Sequence, residues 1–146
     1  MNNIKKGTTV ALIPCYNEES TIGSVVLKTK KYVNIVLVID DGSNDDTVEI
    51  AKSAGAKVIS HEKNKGKSAA IKTGFNYIIN KGYDYAVTID GDGQHNPNEI
   101  PEVLDHLMSN GHDMTLGFRC GNNTEMPFWR KIGKRILDYT TSFANG

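Results

Sequence analysis

Cysteines and long apolar runs are scarce in this sequence, and their scarcity excludes several classes of protein. Two cysteines occur, Cys15 and Cys120, and neither is spaced with a histidine or another cysteine as zinc ligands are. A disulfide framework is not needed, so a reducing compartment is expected. No segment approaches the ~20 apolar residues of a membrane-spanning helix, and the polar N-terminus lacks the apolar run of a signal peptide. We therefore expect a cytoplasmic protein, attached at most to the cytoplasmic face of a membrane.

A charge excess of either sign is also lacking. Lysine plus arginine and aspartate plus glutamate each number 17 in the 146 residues. Non-specific nucleic-acid binding requires a strong excess of positive charge, so no nucleic-acid partner is expected. The length fits one domain of roughly 100–200 residues.

Short β-branched runs alternate with segments of helical period along the chain. Strands are predicted over residues 10–13, closed by Pro14, and over 35–39, 57–60, 85–89 and 114–118. The helix predicted over 68–80 has an expected packing face of Ile71, Phe75, Ile78 and Ile79. This order predicts an α/β fold with a mostly parallel sheet flanked by helices. In such sheets ligands bind beyond the carboxyl ends of the strands.

Two helix starts can be predicted from their polar residues. Ser43 is a candidate cap for the second helix, with Asp46 completing a start that resembles a capping box. Asn96, followed by Pro97 and Glu99, predicts the start of a later helix.

The turn Asp90-Gly91-Asp92 is a candidate metal site. Side chains two apart in an extended segment point the same way, so both carboxylates can reach one cation. Mg²⁺ or Mn²⁺ held by one or two carboxylates plus substrate phosphates fits this pattern. The alternative is that both aspartates are cap or turn residues. An EF-hand is excluded, because its sixth and twelfth positions counted from Asp90 are His95 and Pro101.

Other polar residues also follow predicted strands. One aspartate of the pair Asp40–Asp41 could accept a hydrogen bond from a nucleobase N–H or a ribose hydroxyl; the alternative is a capped helix entry. Residues 65–68, Lys-Gly-Lys-Ser, end like a phosphate-binding loop, but the glycine that the full motif requires is replaced by His61. A basic loop near phosphates and a solvated loop both remain open. Cys15 is expected to be packed rather than nucleophilic.

The last stretch concentrates positive charge and aromatic residues at helical spacing. A basic amphipathic helix of this kind can lie on an anionic membrane or face a phosphorylated lipid. An ordinary surface helix is the alternative. A dinucleotide-binding oxidoreductase is disfavoured, because no Gly-x-Gly-x-x-Gly follows the first strand.

Taken together, these clusters resemble the family 2 glycosyltransferases with the GT-A fold, most closely dolichyl-phosphate mannose or glucose synthases and related polyprenyl-phosphate glycosyltransferases. The matching segments occur in the family's order at residues 13–18, 38–43, 64–67, 90–95, 117–119 and 127–131. The resemblance implies a nucleotide-sugar-binding GT-A core over residues 1–121. Residues 122–146 would begin an acceptor-side segment with the basic amphipathic helix. Family members continue further, so we expect this chain to be a fragment or a truncated gene product.

The resemblance also implies a role for individual residues. A UDP- or GDP-linked sugar donor would be bound by Pro14, Tyr16, Glu18, Ile39, Asp41, Lys67, Asp90, Gly91 and Asp92. The implied ligands of Mg²⁺ or Mn²⁺ are Asp90, Asp92 and Gln94. The implied catalytic residues are Asp92, Arg119 and Arg130, the two arginines matching positions that contact donor or acceptor phosphates.

The implied reaction moves a sugar from the nucleotide donor to a polyprenyl, dolichyl-type phosphate. A lipid phosphate is already an anionic nucleophile and needs little help from a base. A saccharide hydroxyl, as in polysaccharide or cell-wall synthesis, is the alternative acceptor, and it would require a carboxylate base for which no convincing candidate is found. A non-catalytic module that binds the nucleotide sugar is a third possibility.

Overall fold

The computed structural model describes residues 7–110, and these residues form a parallel sheet covered by helices. The strands are β1 (Thr9–Cys15), β2 (Ile35–Asp40), β3 (Lys57–Ser60) and β4 (Tyr85–Thr88). The helices are α1 (Ile22–Thr29), α2 (Thr47–Ser53), α3 (Lys67–Lys81) and α4 (Ile100–Asn110), the last preceded by a 3₁₀ turn over Pro97–Glu99. The predicted α/β fold is confirmed. The strand predicted over 114–118 lies outside the described residues.

The strands run in the spatial order β3-β2-β1-β4, and all three pairings are parallel. Every residue of β1 is buried, as expected for a central strand covered on both faces. The prediction that Pro14 closes this strand is wrong, because Pro14 pairs in register with Ile39 inside β1. The pairing of β1 with β4 ends at Leu12, so the last part of β1 has an open edge where a residue without an N–H is tolerated.

Alternate residues of β1 and β2 pack into two apolar layers on opposite faces of the sheet. One layer joins the sheet to α1, α2 and α4, and it contains Ala11, Ile13, Ile22, Val26, Val36, Val38, Ala51, Ile100 and Leu104. The other joins it to α3 and contains Val10, Leu12, Leu37, Ile39, Ala70 and Ile78. Both faces are therefore covered, and among the described residues no helix is long and apolar enough to cross a membrane.

The packing face of α3 differs from the predicted one. Ile78 is buried as expected, but Phe75 is 39% exposed and Ile79 is 71% exposed. The small residues Ala70 and Gly74 face the sheet instead. They bring the helix so close that a Cβ atom on Gly74 would overlap the Leu12 side chain.

The two predicted helix starts have opposite outcomes. Helix α2 begins at Thr47 and its N-cap residue, Asp46, makes no side-chain cap bond, so the predicted cap by Ser43 is wrong. The Ser43 hydroxyl accepts a hydrogen bond from the Asn17 N–H instead (2.8 Å). The start at Asn96 is confirmed, because its side chain accepts a hydrogen bond from the Asn98 N–H.

Candidate functional site

A cleft of about 300 Å³ opens at the carboxyl ends of β1, β2 and β4. It is lined by Pro14, Cys15, Tyr16, Glu18, Asp41, Asn64, Gly66, Lys67, Ala70, Asp90, Gly91 and Asp92. All the predicted nucleotide-sugar-binding residues except Ile39 line this cleft. Ile39 is fully buried in the layer beneath α3 and belongs to the core.

Asp41 holds the loop that joins β3 to α3. It is 3% exposed. Its Oδ1 atom accepts a hydrogen bond from the Lys65 N–H (3.0 Å) and lies 2.7 Å from His61 Nδ1. Its Oδ2 atom accepts a hydrogen bond from the Gly66 N–H (2.7 Å). Asp40, the other member of the pair, does not line the cleft; its Oδ1 atom accepts a bond from the Ser43 N–H.

The hydrogen bonds of Asp41 decide its charge state. Burial raises the pKa of this carboxyl, but the hydrogen bonds from His61, Lys65 and Gly66 outweigh burial and hold the pKa below its ordinary value of 3.8. Asp41 is therefore a carboxylate at neutral pH, buried but well supplied with donors.

We expect Asp41→Asn to destabilise the fold at pH 7 by about 1–3 kcal/mol, because the amide nitrogen would face the donors that now surround the carboxylate. The folded-state pKa of Asp41 is lowered, so its contribution to stability is present above the unfolded pKa and is lost as pH falls through the folded value. The gap in free energy of unfolding between wild type and variant should therefore narrow in acid. Urea melts at several pH values measure it, with the exposed Asp105→Asn as control. A gap independent of pH down to acid unfolding would contradict this expectation.

His61 is a site residue that the sequence did not identify. Only 8% of its side chain is exposed, and its two ring nitrogens contact Asp41 Oδ1 and the Thr73 hydroxyl (2.9 Å). The sequence feature that could have identified it is its position directly after β3, at the same sheet edge as Asp41 and the Asp90-Gly91-Asp92 turn. No motif marks His61 as a site residue, because in the sequence it only interrupts the phosphate-loop pattern.

The Asp90-Gly91-Asp92 turn is fixed by contacts on both sides. Asp90 Oδ1 lies 2.6 Å from Lys67 Nζ, and the Asp90 N–H donates to His95 Nδ1 (3.0 Å). Asp92 Oδ1 accepts a bond from the Gln94 N–H (2.9 Å). The Lys67 ammonium therefore balances one of two closely spaced carboxylates. The pair is largely exposed, so it adds little to stability and remains able to rearrange.

The oxygen ligands of this turn suit a hard divalent cation, but they do not complete a coordination shell. Asp90 and Asp92 line the cleft, whereas Gln94 does not. Within residues 7–110 no three His, Cys, Asp or Glu side chains converge as metal ligands. Mg²⁺ is commonly bound through one or two carboxylates plus substrate phosphates, and the two aspartates fit that arrangement.

The loops after β1 and β2 are bound to each other at the mouth of the cleft. Asn17 adopts a positive φ of 53°, its N–H donates to Ser43, and its side chain accepts a bond from the Asn44 N–H (2.9 Å). The Glu18 N–H donates to the Thr47 hydroxyl (2.8 Å). These bonds fix the backbone that carries Pro14, Tyr16 and Glu18, and they leave the Tyr16 side chain 42% exposed.

Thr21 links the start of α1 to the Asp90-Gly91-Asp92 turn, called the acidic turn below. Its hydroxyl lies 2.8 Å from the Gly91 carbonyl oxygen and donates to it. A Cβ atom on Gly91 would lie 3.1 Å from Cys15 Cβ, so the turn also packs closely against the end of β1. The separation between the two aspartates and the rest of the cleft is therefore set by packing as well as by hydrogen bonding.

Cys15 lines the cleft as a neutral thiol. Burial, together with the smaller effect of the negative charges of Asp40, Glu18, Asp45 and Asp41, raises its pKa to about 12. The thiolate, which is the nucleophilic form, is therefore not populated near neutral pH. This confirms the expectation that Cys15 is packed rather than nucleophilic.

Arg119 and Arg130 lie outside the described residues, as does the basic amphipathic helix predicted within 122–146. The predicted boundary after residue 121 stays a prediction. The acceptor side of the site thus stays a prediction from the sequence.

Comparison with known proteins finds transferases and a glucosyl-3-phosphoglycerate synthase among the proteins similar to this chain. A UDP-N-acetylglucosamine–dolichyl-phosphate N-acetylglucosaminyltransferase from Methanococcus voltae is 36% identical, over 92% of this chain and 62% of its own length. An undecaprenyl-phosphate 4-deoxy-4-formamido-L-arabinose transferase from Yersinia pestis is 29% identical, over 98% of this chain and 45% of its own. The crystal structure of glucosyl-3-phosphoglycerate synthase from Mycobacterium tuberculosis with Mn²⁺, UDP-glucose and phosphoglyceric acid aligns with a TM-score of 0.60 and 30% identity.

The similarity extends over most of this chain but only part of each relative. The mycobacterial structure is matched over 71% of this chain and 40% of its own. The chain therefore spans less than two thirds of the length of each of these relatives, from 40% to 62%. The family described as Glycosyl transferase family 2 matches residues 10–144, which include all six segments on which the resemblance depends. This chain belongs to glycosyl transferase family 2.

Proposed function

We propose that the cleft binds a UDP- or GDP-linked sugar and that the chain forms the donor side of a transferase that delivers the sugar to a polyprenyl phosphate. The observation that carries this proposal is the convergence of Asp41, Lys67, Asp90 and Asp92 on one cleft at the carboxyl ends of the strands. A site of this kind would offer an acceptor to the base, a cation to the diphosphate and a carboxylate pair to a divalent metal. Asp41, Lys67 and the pair Asp90 and Asp92 are the candidates for these three roles.

The base and the ribose would lie between the loops after β1 and β2. Asp41 carries a charge at neutral pH and offers an acceptor, while Tyr16, which lines the same cleft, offers an exposed ring. Pro14 and Glu18 line the same cleft. The backbone of this loop is fixed by the hydrogen bonds that the Asn17 and Glu18 N–H groups donate to the segment after β2. The nucleoside would therefore meet a preorganised surface.

The diphosphate would lie between Lys67 and the acidic turn. Asp90 and Asp92 would hold Mg²⁺ or Mn²⁺, and such a metal stabilises the negative charge that grows on the departing nucleotide. Lys67 can release Asp90 and turn to the phosphates, because their ion pair is exposed and weak. The solved relative that holds Mn²⁺ together with UDP-glucose supports this assignment.

A lipid phosphate is the acceptor that the sequence relatives support. The proteins from Methanococcus voltae and Yersinia pestis are named for dolichyl phosphate and undecaprenyl phosphate. A phosphate oxygen attacks without prior deprotonation, so the proposal requires no carboxylate base. Arg119 and Arg130 are the candidate residues for holding donor or acceptor phosphates, at the cytoplasmic face of a membrane.

Calorimetric titration tests the donor site. UDP-N-acetylglucosamine, UDP-glucose and GDP-mannose would be titrated into the full chain with Mn²⁺ and again with EDTA. We expect at least one donor to bind with a dissociation constant on the order of 1 μM to 1 mM, the usual range for substrates. EDTA should weaken this binding at least roughly tenfold. A folded chain that binds none of the nucleotides would refute the donor site, and binding indifferent to EDTA would refute the metal.

Transfer to the acceptor is a separate measurement. The preferred donor, with a radiolabelled sugar, would be incubated with vesicles containing undecaprenyl phosphate, and in parallel with a soluble oligosaccharide. Label in the lipid fraction that is released by mild acid would support the lipid-phosphate acceptor. Label in the oligosaccharide would show a hydroxyl acceptor instead, and donor binding with no product from either would show that this chain acts as a binding module.

A further inference from the structure

The hydrogen-bonding capacity of Asp41 is almost used up within the protein. A carboxylate offers about two acceptor sites on each oxygen. The Oδ1 atom contacts both His61 Nδ1 and the Lys65 N–H, and is therefore filled. Among the described residues, the Oδ2 atom accepts only from the Gly66 N–H. One acceptor site, on Oδ2, is left on a carboxylate that lines the cleft.

The His61 ring is held in place and occupies an acceptor site on Asp41 Oδ1. Since Asp41 is ionised and can only accept, the Nδ1 atom of His61 carries the proton of this bond. On the other side of the ring, Nε2 lies 2.9 Å from the Thr73 hydroxyl on α3. The imidazole is thereby fixed at both nitrogens and cannot turn away from the carboxylate.

We propose that His61 is a positioning residue that restricts Asp41 to a single acceptor site, and that this restriction makes the cleft prefer uracil over guanine. The inference rests on the donor site proposed above and deepens it by naming the base. His61 itself does not line the cleft, so it acts through Asp41 rather than on the ligand.

The two bases present different edges to a carboxylate. Guanine carries N1–H and N2–H side by side, and it is matched by a carboxylate with both oxygens free. Uracil carries the single donor N3–H between two carbonyl oxygens, and a second free carboxylate oxygen would lie against one of those carbonyls. At Asp41 a guanine would leave one N–H without an acceptor, which is costly in a buried site. A uracil needs only the acceptor that remains.

The test compares UDP, GDP and N3-methyl-UDP by calorimetry with Mn²⁺ and the full chain. In the wild type we expect UDP to bind roughly tenfold or more tightly than GDP, and N3-methylation to remove most of that advantage. His61→Leu should lower UDP affinity and bring the UDP-to-GDP ratio towards one, because Oδ1 is released. His61→Asn places an amide N–H near the position of Nδ1 and should restore the ratio. Thr73→Val, which frees only the far side of the ring, should have an intermediate effect.

Each outcome separates the inference from the proposed function. If neither UDP nor GDP binds to the folded wild type, the donor site itself is wrong. If both bind equally, or if N3-methyl-UDP binds as well as UDP, the donor site stands and the base preference is wrong. If His61→Leu and His61→Asn, both confirmed as folded by circular dichroism, keep the wild-type ratio, His61 has no positioning role. If the His61→Leu variant fails to fold, Thr73→Val decides: a reduced UDP-to-GDP ratio supports the positioning role, and a wild-type ratio overturns it.

Discussion

Asp92→Asn should weaken the Mn²⁺-dependent binding of the nucleotide donor by roughly 100-fold while leaving the fold intact. The amide oxygen of asparagine can still accept the hydrogen bond that Asp92 receives from the Gln94 N–H, so the turn should keep its shape. The lost element is the negative charge. Asp90 already lies 2.6 Å from the Lys67 ammonium, so the second carboxylate is the one whose charge is not balanced by a described ion pair.

The measurement is a titration of donor into wild type and variant with Mn²⁺ and with EDTA. Asp105→Asn on α4 makes the same chemical change at an exposed position and should bind like the wild type. In EDTA, wild type and Asp92→Asn should become alike, because both then bind the donor without a metal. If the variant retained the full difference between Mn²⁺ and EDTA, Asp92 would be a turn residue and not a metal ligand.

The position of the cleft could be predicted because it follows from sheet topology. Parallel strands place their carboxyl ends at one edge, so polar residues directly after β1, β2 and β4 had to come together. This is why Glu18 and Asp41 line the same cleft as the Asp90-Gly91-Asp92 turn, although they are far apart in sequence. The β-branched and apolar runs that predicted the strands are the same residues that form the two buried layers.

The hydrogen-bond partners of the residues around the cleft could not be predicted, because they are set by tertiary contacts between loops. Serine is a residue type favoured at helix caps, yet the Ser43 hydroxyl accepts a hydrogen bond from the Asn17 N–H in the loop after β1. Asp41 was expected to contact a base, but most of its acceptor sites bind His61 and the backbone of residues 65 and 66. Such bonds join residues about 20 or more positions apart, and no local sequence pattern encodes them.

The face of α3 was missed for a different reason, which is that hydrophobic periodicity does not measure size. The pattern selected the large apolar residues Phe75 and Ile79, and both are exposed. The helix instead packs through Ala70 and Gly74, because small side chains let it approach β1 closely. The close approach is consistent with interior packing that tolerates neither voids nor overlap.

Gly74→Ala should therefore destabilise the protein, although the same change stabilises an ordinary exposed helix. Alanine favours the helix over glycine by about 1 kcal/mol. At this position, however, the new methyl group would overlap Leu12 Cδ1 and lie 2.8 Å from Leu12 Cδ2, and Leu12 is fully buried, so it must shift against the residues that pack around it. Overpacking costs about 1–3 kcal/mol, and the helix preference of alanine offsets about 1 kcal/mol of it. We therefore expect a net loss in free energy of unfolding of up to about 2 kcal/mol, and of about 3 kcal/mol for Gly74→Val.

Urea denaturation of the full chain measures the effect, with Asn76→Ala as the control at an exposed position of the same helix. The control should be neutral or slightly stabilising, by up to about 0.7 kcal/mol. Leu12→Ala makes space for the methyl group, so Gly74→Ala should cost less in that background than in the wild type, a coupling expected of residues in contact. If Gly74→Ala stabilised the wild type as it does an exposed helix, α3 would not lie this close to β1, and the position of Lys67 at the start of α3 would have to be revised with it.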